Sequence, residues 1–253
     1  YDHEIPIAEY IMLGMLDWLI PKATQDAMTP ADWLLIVLSC YFHDAGMLVT
    51  GSEYAARGDN EAYIRFRDNV LLGGDDAADY TDRLSQDEDE RERFFYQEFV
   101  RSCHAERAAY WVEGNASSEF GATHETVDAI EDLLGGLNEM LRGDVALVCR
   151  SHHLDDLDDL QRYRLRRGYG PELKFHFANL QYAALLLRTT DLLHVTTDRV
   201  PSVLFKLTHP TDPVSRAEWA KQRGVTAVVP AQVVADGQAD TIEVHAQFHE
   251  RHQ

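Results

Sequence analysis

From Ile5 to Ile20 the apolar residues Ala8, Ile11, Met12, Met15, Leu16 and Leu19 recur at spacings of three and four, which predicts an amphipathic helix ended by Pro21. Thr29, Pro30 and Asp32 form a helix-start signature with Pro in the first turn. The run behind it, Trp33 to Phe42, is apolar nearly all round, predicting a buried helix that delivers His43 and Asp44 at its C-terminal end. Phe94 to Val112 returns to helical spacing through Phe95, Phe99, Cys103, Ala108 and Trp111, and carries His104. Val127 to Leu141 reads as a helix weakened by Gly135 and Gly136, and Asp144 to His153 as a short apolar helix ending in two histidines. Leu180 to Val195 is a further helix with Asp191 embedded in a wide apolar face. Between these, Gly51 to Glu90 is polar, holds the turn Gly73, Gly74, Asp75, Asp76 and ends in the acidic run QDEDE, which predicts an exposed insertion. After Pro201 the pattern changes: Val225 to Pro230 and Thr241 to Phe248 read as strands separated by the turn signal Asp236, Gly237. The expected fold is therefore an all-α bundle followed by a small β-containing extension.

Composition narrows what such a bundle can do. With 253 residues, 45% of them hydrophobic and 26% charged, the chain is globular in type. It can bury roughly 70 to 75% of its unfolded surface. No metal is then needed merely to hold the fold, so any metal is suspected of function. The net charge of −20, from 23 basic and 43 acidic residues, repels polyanions and disfavours a nucleic-acid partner. A nucleotide or other small phosphoester remains open as a partner, because one phosphate can be held locally by a metal ion or a few Arg forks. No apolar run reaches the 18 residues expected of a membrane span, so no membrane partner is expected. The opening residues, YDHEIPIAEY, lack a basic region and a cleavage pattern, so no secretory leader is expected, and the missing initiator Met points to a trimmed or incomplete chain. The three cysteines, Cys40, Cys103 and Cys149, are an odd number, which points to reduced thiols and a cytoplasmic setting. No phosphate-binding glycine loop, dinucleotide fingerprint or nucleophile elbow occurs.

What the chain does carry is a recurring placement of imidazoles and carboxylates on apolar helices: His43 and Asp44, then His104, then His152 and His153, then Asp191. Taken singly, each reads as readily as a hydrogen-bonded core residue. Together they make a ligand set of His and Asp that suits divalent ions such as Mn, Fe, Co, Ni, Mg or Zn. Two such ions can activate water and clamp the oxygens of a phosphoester.

In this order the residues resemble the HD superfamily of metal-dependent phosphohydrolases, over about Tyr1 to Pro201. FHDAGM is similar to the HD motif, CHAER to the single-His motif of two-metal members, CRSHH to their later His pair, and LLLRTTDLLHVTTDRVP to the closing helix. The likeness extends to HD domains of bacterial conflict systems, often joined to an Hsp90-like ATPase, where TDPVSRAEW resembles part of a C-terminal extension. The resemblance implies an HD-type helical bundle over residues 1–205, with 51–93 as an exposed insertion and 206–253 as a small α/β extension or the start of a further domain. It implies a role in antiviral defence and a longer parent protein with an attached ATPase domain. It also implies two divalent ions, one held by His43, Asp44 and Asp191 and one by His104, His152 and His153, with Asp44 bridging. Family members often place a further His pair on the first helix. Here His3 matches the first of that pair and Ile7 stands at the second, so either His3 serves or one ion lacks a ligand.

Three arginines, Arg107, Arg150 and Arg188, lie a helical turn or less from proposed ligands and are candidates to neutralise a phosphoryl group, pairing with carboxylates being the alternative. Arg162, Arg164, Arg166 and Arg167 can guide a nucleotide or simply balance Asp155 to Asp159. A zinc site using the cysteines is a weaker reading, since they sit inside apolar helices. The expected activity is hydrolysis of a nucleotide phosphoester by a metal-activated water, with Glu106 or His194 as proton shuttle. The alternatives are a nucleotide-sensing regulatory module and a single-strand nuclease.

Overall fold

The computed structural model describes residues 5–73, 86–115, 120, 124–170, 176–194, 224–233 and 239–247. Two compact units share the chain: one comprises Pro30–Leu187, the other Tyr1–Thr29 together with Arg188–Gln253. The expected boundary at residue 205 lies outside the described residues.

The Pro30–Leu187 unit is helical. It runs through α3 (Pro30–Phe42), a 3-10 turn (Ala45–Met47), α4 (Gly51–Ala55), α5 (Glu61–Leu71), α6 (Glu88–Val112), α7 (His124–Leu134), α8 (Glu139–Ser151) and the first part of α9 (Leu180–Leu193). Helix α6 packs against α5, α7, α8 and the 3-10 turn, and α8 packs in turn on α3. Helix starts are set by local capping. Thr50, Asn60 and Asp87 accept the backbone N–H groups of Glu53, Tyr63 and Glu90 at the starts of α4, α5 and α6. Asn138 caps α8 through the N–H groups of Met140 and Leu141. Buried Asp32 on α3 accepts from the backbone N–H of Asn179 at 2.8 Å, which ties the start of α3 to the start of α9. A two-residue antiparallel pair, β1 (Arg167–Gly168) with β2 (Phe177–Ala178), lies in the link between α8 and α9.

Three expectations need correction here. Residues 51–93 are not an exposed insertion throughout: α4 and α5 occupy much of the stretch, and Tyr63 and Val70 are buried with Phe95, Tyr96, Phe99 and Val100 in one aromatic cluster. Tyr63, Phe66 and Val70 share one face of α5, and the intervening charges mask that stripe. The acidic run is exposed but helical rather than a loop. Glu88, Asp89 and Glu90 form the first turn of α6, where carboxylates complement the helix dipole. The helix expected over Val127–Leu141 is divided, because α7 ends at Leu134 ahead of Gly135 and Gly136 and α8 starts at Glu139.

In the other unit, α1 (Ile5–Leu19) has Met12, Met15 and Leu16 buried and is followed by the short α2 (Lys22–Ala27). Strands β3 (Val225–Val233) and β4 (Ala239–Ala246) pair antiparallel, with Val228 opposite Val244. The expected turn at Asp236–Gly237 falls outside the described residues. The stretch Pro30–Ala55 is apolar and long enough, taken as one run, to cross a membrane. It is divided into α3, the 3-10 turn and α4, and α3 has 13 residues where a span needs about 20.

Candidate metal centre

Three separate helices bring imidazoles to one place in the Pro30–Leu187 unit. His43 follows the last residue of α3, His104 stands within α6, and His152 caps the C-terminus of α8 with His153 next to it. Each of the first three rings is oriented by its own helix. The Nδ1 of His43 lies 3.0 Å from the carbonyl of Cys40, that of His104 2.8 Å from Arg101, and that of His152 2.5 Å from Cys149. A carbonyl only accepts, so we assign the proton to Nδ1 in each ring and leave a lone pair on Nε2. All three contacts join a ring to the residue three positions earlier, so the helical turn that carries each His also sets its tautomer.

The Nε2 atoms converge. Those of His104 and His152 are 2.9 Å apart, and the His153 ring meets both neighbours edge-on, with centroids at 4.3 and 4.7 Å. The ligand atoms of His104, His152 and His153 all lie within 4.8 Å of one another. Two lone pairs facing at such a distance repel unless a proton or a cation sits between them. Burial, followed by the facing imidazole of His43, pushes His152 down to about 4, so a proton is disfavoured there at neutral pH. A divalent cation satisfies the same donors, and the residues present fit one.

Asp44 completes the arrangement. Its backbone sits at φ −95°, ψ 2°, the sparsely populated region that functional residues often occupy, at the entry to the 3-10 turn. Oδ1 lies 3.2 Å from Nε2 of His104 and 3.9 Å from Nε2 of His152, while Oδ2 lies 3.6 Å from Nε2 of His43. The two carboxylate oxygens thus face different imidazoles, which is the disposition a bridging ligand needs.

The other predicted residues are placed as follows. His3 lies outside the described residues. Asp191, half-buried, and His194, buried, stand near the end of α9 in the unit that opens at Arg188. Arg150 pairs with Glu106 at 2.7 Å, so each of these candidates has a partner of opposite charge. Arg107 is corrected: it is fully buried and its guanidinium donates to Glu53, to the carbonyls of Gly46 and Leu48 and to that of Phe120, so no donor is left for a phosphoryl group. Its surroundings demand this, since a guanidinium without solvent must find acceptors within the fold.

The cysteines pack as small hydrophobes. Cys103 donates to the carbonyl of Phe99 at 3.1 Å, and burial pushes its thiol up to about 12. Cys149 is likewise pushed up by burial. Among the described residues no cysteine joins a group able to hold a metal.

Sequence reasoning overlooked Gly46. A Cβ there would stand 1.9 Å from the carbonyl oxygen of His104 and 2.8 Å from the amide of Ala108, so only glycine lets the turn bearing Asp44 lie against the backbone of α6. Its signal was the glycine two residues after Asp44.

A helical unit that gathers a His–Asp pair, a mid-helix His and a His pair from a helix end is an HD-type domain, and its donors fit a metal-dependent hydrolase. The chain matches the HD-CE family over residues 2–253 and belongs to it. No curated protein and no solved structure matches it significantly.

Proposed function

We propose that this chain hydrolyses a phosphoester, in a nucleotide or a similarly small substrate, at a site for two divalent ions. The observation that carries the reading is the division of Asp44, one oxygen towards His104 and His152 and the other towards His43. In this reading His104, His152 and His153 would hold one ion and His43 the other, Asp44 would serve both, and Asp191 is the further ligand that the likeness to HD phosphohydrolases implies. Divalent ions such as Mn, Fe, Co, Ni, Mg or Zn would lower the pKa of water and neutralise phosphoryl charge there. The chain's part is to keep three Nε2 lone pairs aimed inward through the carbonyls behind them and to hold Asp44 between them. Glu106, paired with Arg150, can take up or return a proton, and Arg188 is a further candidate cation for the phosphoryl group.

The net charge of −20 supports a small substrate over a nucleic acid, because only local cations can offset a phosphate here. The likeness to conflict-system domains supports a cytoplasmic defence role beside an attached ATPase.

The test is a screen of nucleotides and a generic phosphodiester with each ion added in turn. The expected result is turnover that falls by on the order of 10³-fold in Asp44→Ala, equivalent to several kcal/mol of transition-state stabilisation. Wild-type protein that releases every bound nucleotide unchanged, whichever ion is added, refutes hydrolysis and leaves a sensing module, a reading that Ile7 in place of a second His favours.

A further inference from the structure

We infer that Arg107 and Glu53 are positioning residues that lock the turn bearing Asp44 onto the helix bearing His104, an inference that rests on the metal-dependent reading above. Arg107 has no exposed surface and Glu53 is 5% exposed. Burying an ion pair costs several kcal/mol in desolvation, and apolar replacements of similar volume are often neutral or stabilising. Stability alone therefore does not account for this pair.

Its connections do. Arg107 lies one turn after His104 on α6. Its Nε donates to the carbonyl of Gly46 at 2.7 Å and its Nη2 to that of Leu48 at 2.8 Å, so the guanidinium grips the backbone on both sides of Met47, in the turn that Asp44 opens. Its Nη1 donates to Glu53 Oε1 at 2.7 Å and its Nη2 to Glu53 Oε2 at 3.3 Å. The hydroxyl of Tyr96, also on α6, donates to Glu53 Oε1 at 2.7 Å. Helix α6 thus reaches the Asp44 turn directly through Arg107 and reaches α4 through Arg107 and Tyr96. The missing Cβ of Gly46 permits the approach and Arg107 fixes its register. A carboxylate whose oxygens must serve two ions tolerates little drift, and this clamp limits that drift.

The test titrates Co²⁺ or Mn²⁺ into the chelator-treated full chain by calorimetry and records the visible Co²⁺ spectrum, for the wild type, the apolar double variant Arg107→Met/Glu53→Leu, and Tyr96→Phe. The double variant should bind about 10- to 100-fold more weakly with an altered Co²⁺ spectrum. Tyr96→Phe, which removes one hydrogen bond, should weaken binding about 2- to 10-fold and keeps the test decisive if the double variant does not fold. A folded variant with a lowered unfolding midpoint but wild-type affinity and spectrum overturns the inference and leaves a structural role only. A wild-type chain that binds neither ion overturns the metal reading and this inference with it.

Discussion

Along α6, the residues from Phe94 to Val100 and those from His104 to Val112 meet different neighbours. The first stretch turns Phe95, Tyr96, Phe99 and Val100 towards Tyr63 and Val70, and ring centroids there lie 5.0 to 5.9 Å apart. The second presents His104 and Arg107, both buried, to the turn after Asp44. Apolar contacts are non-directional, so the first stretch can relax around a change of shape at a cost in stability. The second is held by hydrogen bonds with defined donors and by a backbone contact with no room for a methyl group, so small changes there shift ligand geometry. Apart from Tyr96, whose hydroxyl reaches across to Glu53, the first stretch supplies cohesion and the second supplies position.

The largest separation of the two should come from Phe99→Ala. It empties the aromatic cluster and should cost about 3 to 5 kcal/mol in denaturant unfolding while leaving metal stoichiometry intact. Loss of metal in the folded variant would break the comparison. Gly46→Ala should do the reverse. Its methyl group meets the His104 carbonyl, so an overpacking cost of about 1 to 3 kcal/mol should accompany a marked loss of metal affinity, read by titration with Mn²⁺. Unchanged affinity would show that the turn has more freedom than its contacts indicate.

A third probe is pH. In the folded, metal-free chain His152 is pushed down to about 4, against roughly 6.5 for an exposed His, so as pH falls the unfolded state takes up its proton first. The stabilising contribution is fully present above about 6.5 and is lost as pH drops towards 4. The thermal midpoint should fall through that window, and less steeply in His152→Gln; equal slopes would remove His152 as the cause. The smallest effect is expected from Arg101→Ala. It breaks a pair with Glu98 at 2.8 Å but leaves the carbonyl that orients His104, so stability should change by about 1 kcal/mol or less and metal binding not at all.

Much of this division was legible beforehand, and the limits are instructive. The long helices followed from three-and-four spacing, and His43, Asp44, His104, His152 and His153 were marked by their order along the chain. That Asp44 bridges is what the resemblance implies; the distances add that its two oxygens face different imidazoles. The role of Arg107 was not legible. Its acceptor Glu53 lies 54 residues away, in a stretch expected to be exposed, and no local pattern reports such a partner. Helix α5 escaped notice because one buried stripe, Tyr63, Phe66 and Val70, is interleaved with Arg65, Arg67 and Asp68. The first turn of α6 was hidden because an acidic run serves equally as a solvated loop and as a helix start.

The central claim is that three oriented imidazoles and a divided carboxylate form a metal site. Elemental analysis of protein purified without chelator, for the native chain and for Asp44→Ala, tests it most directly. The account predicts two equivalents of a divalent metal per native chain and at most one in the variant, with both folded. No metal in the native chain, or the same content in both proteins, would contradict it.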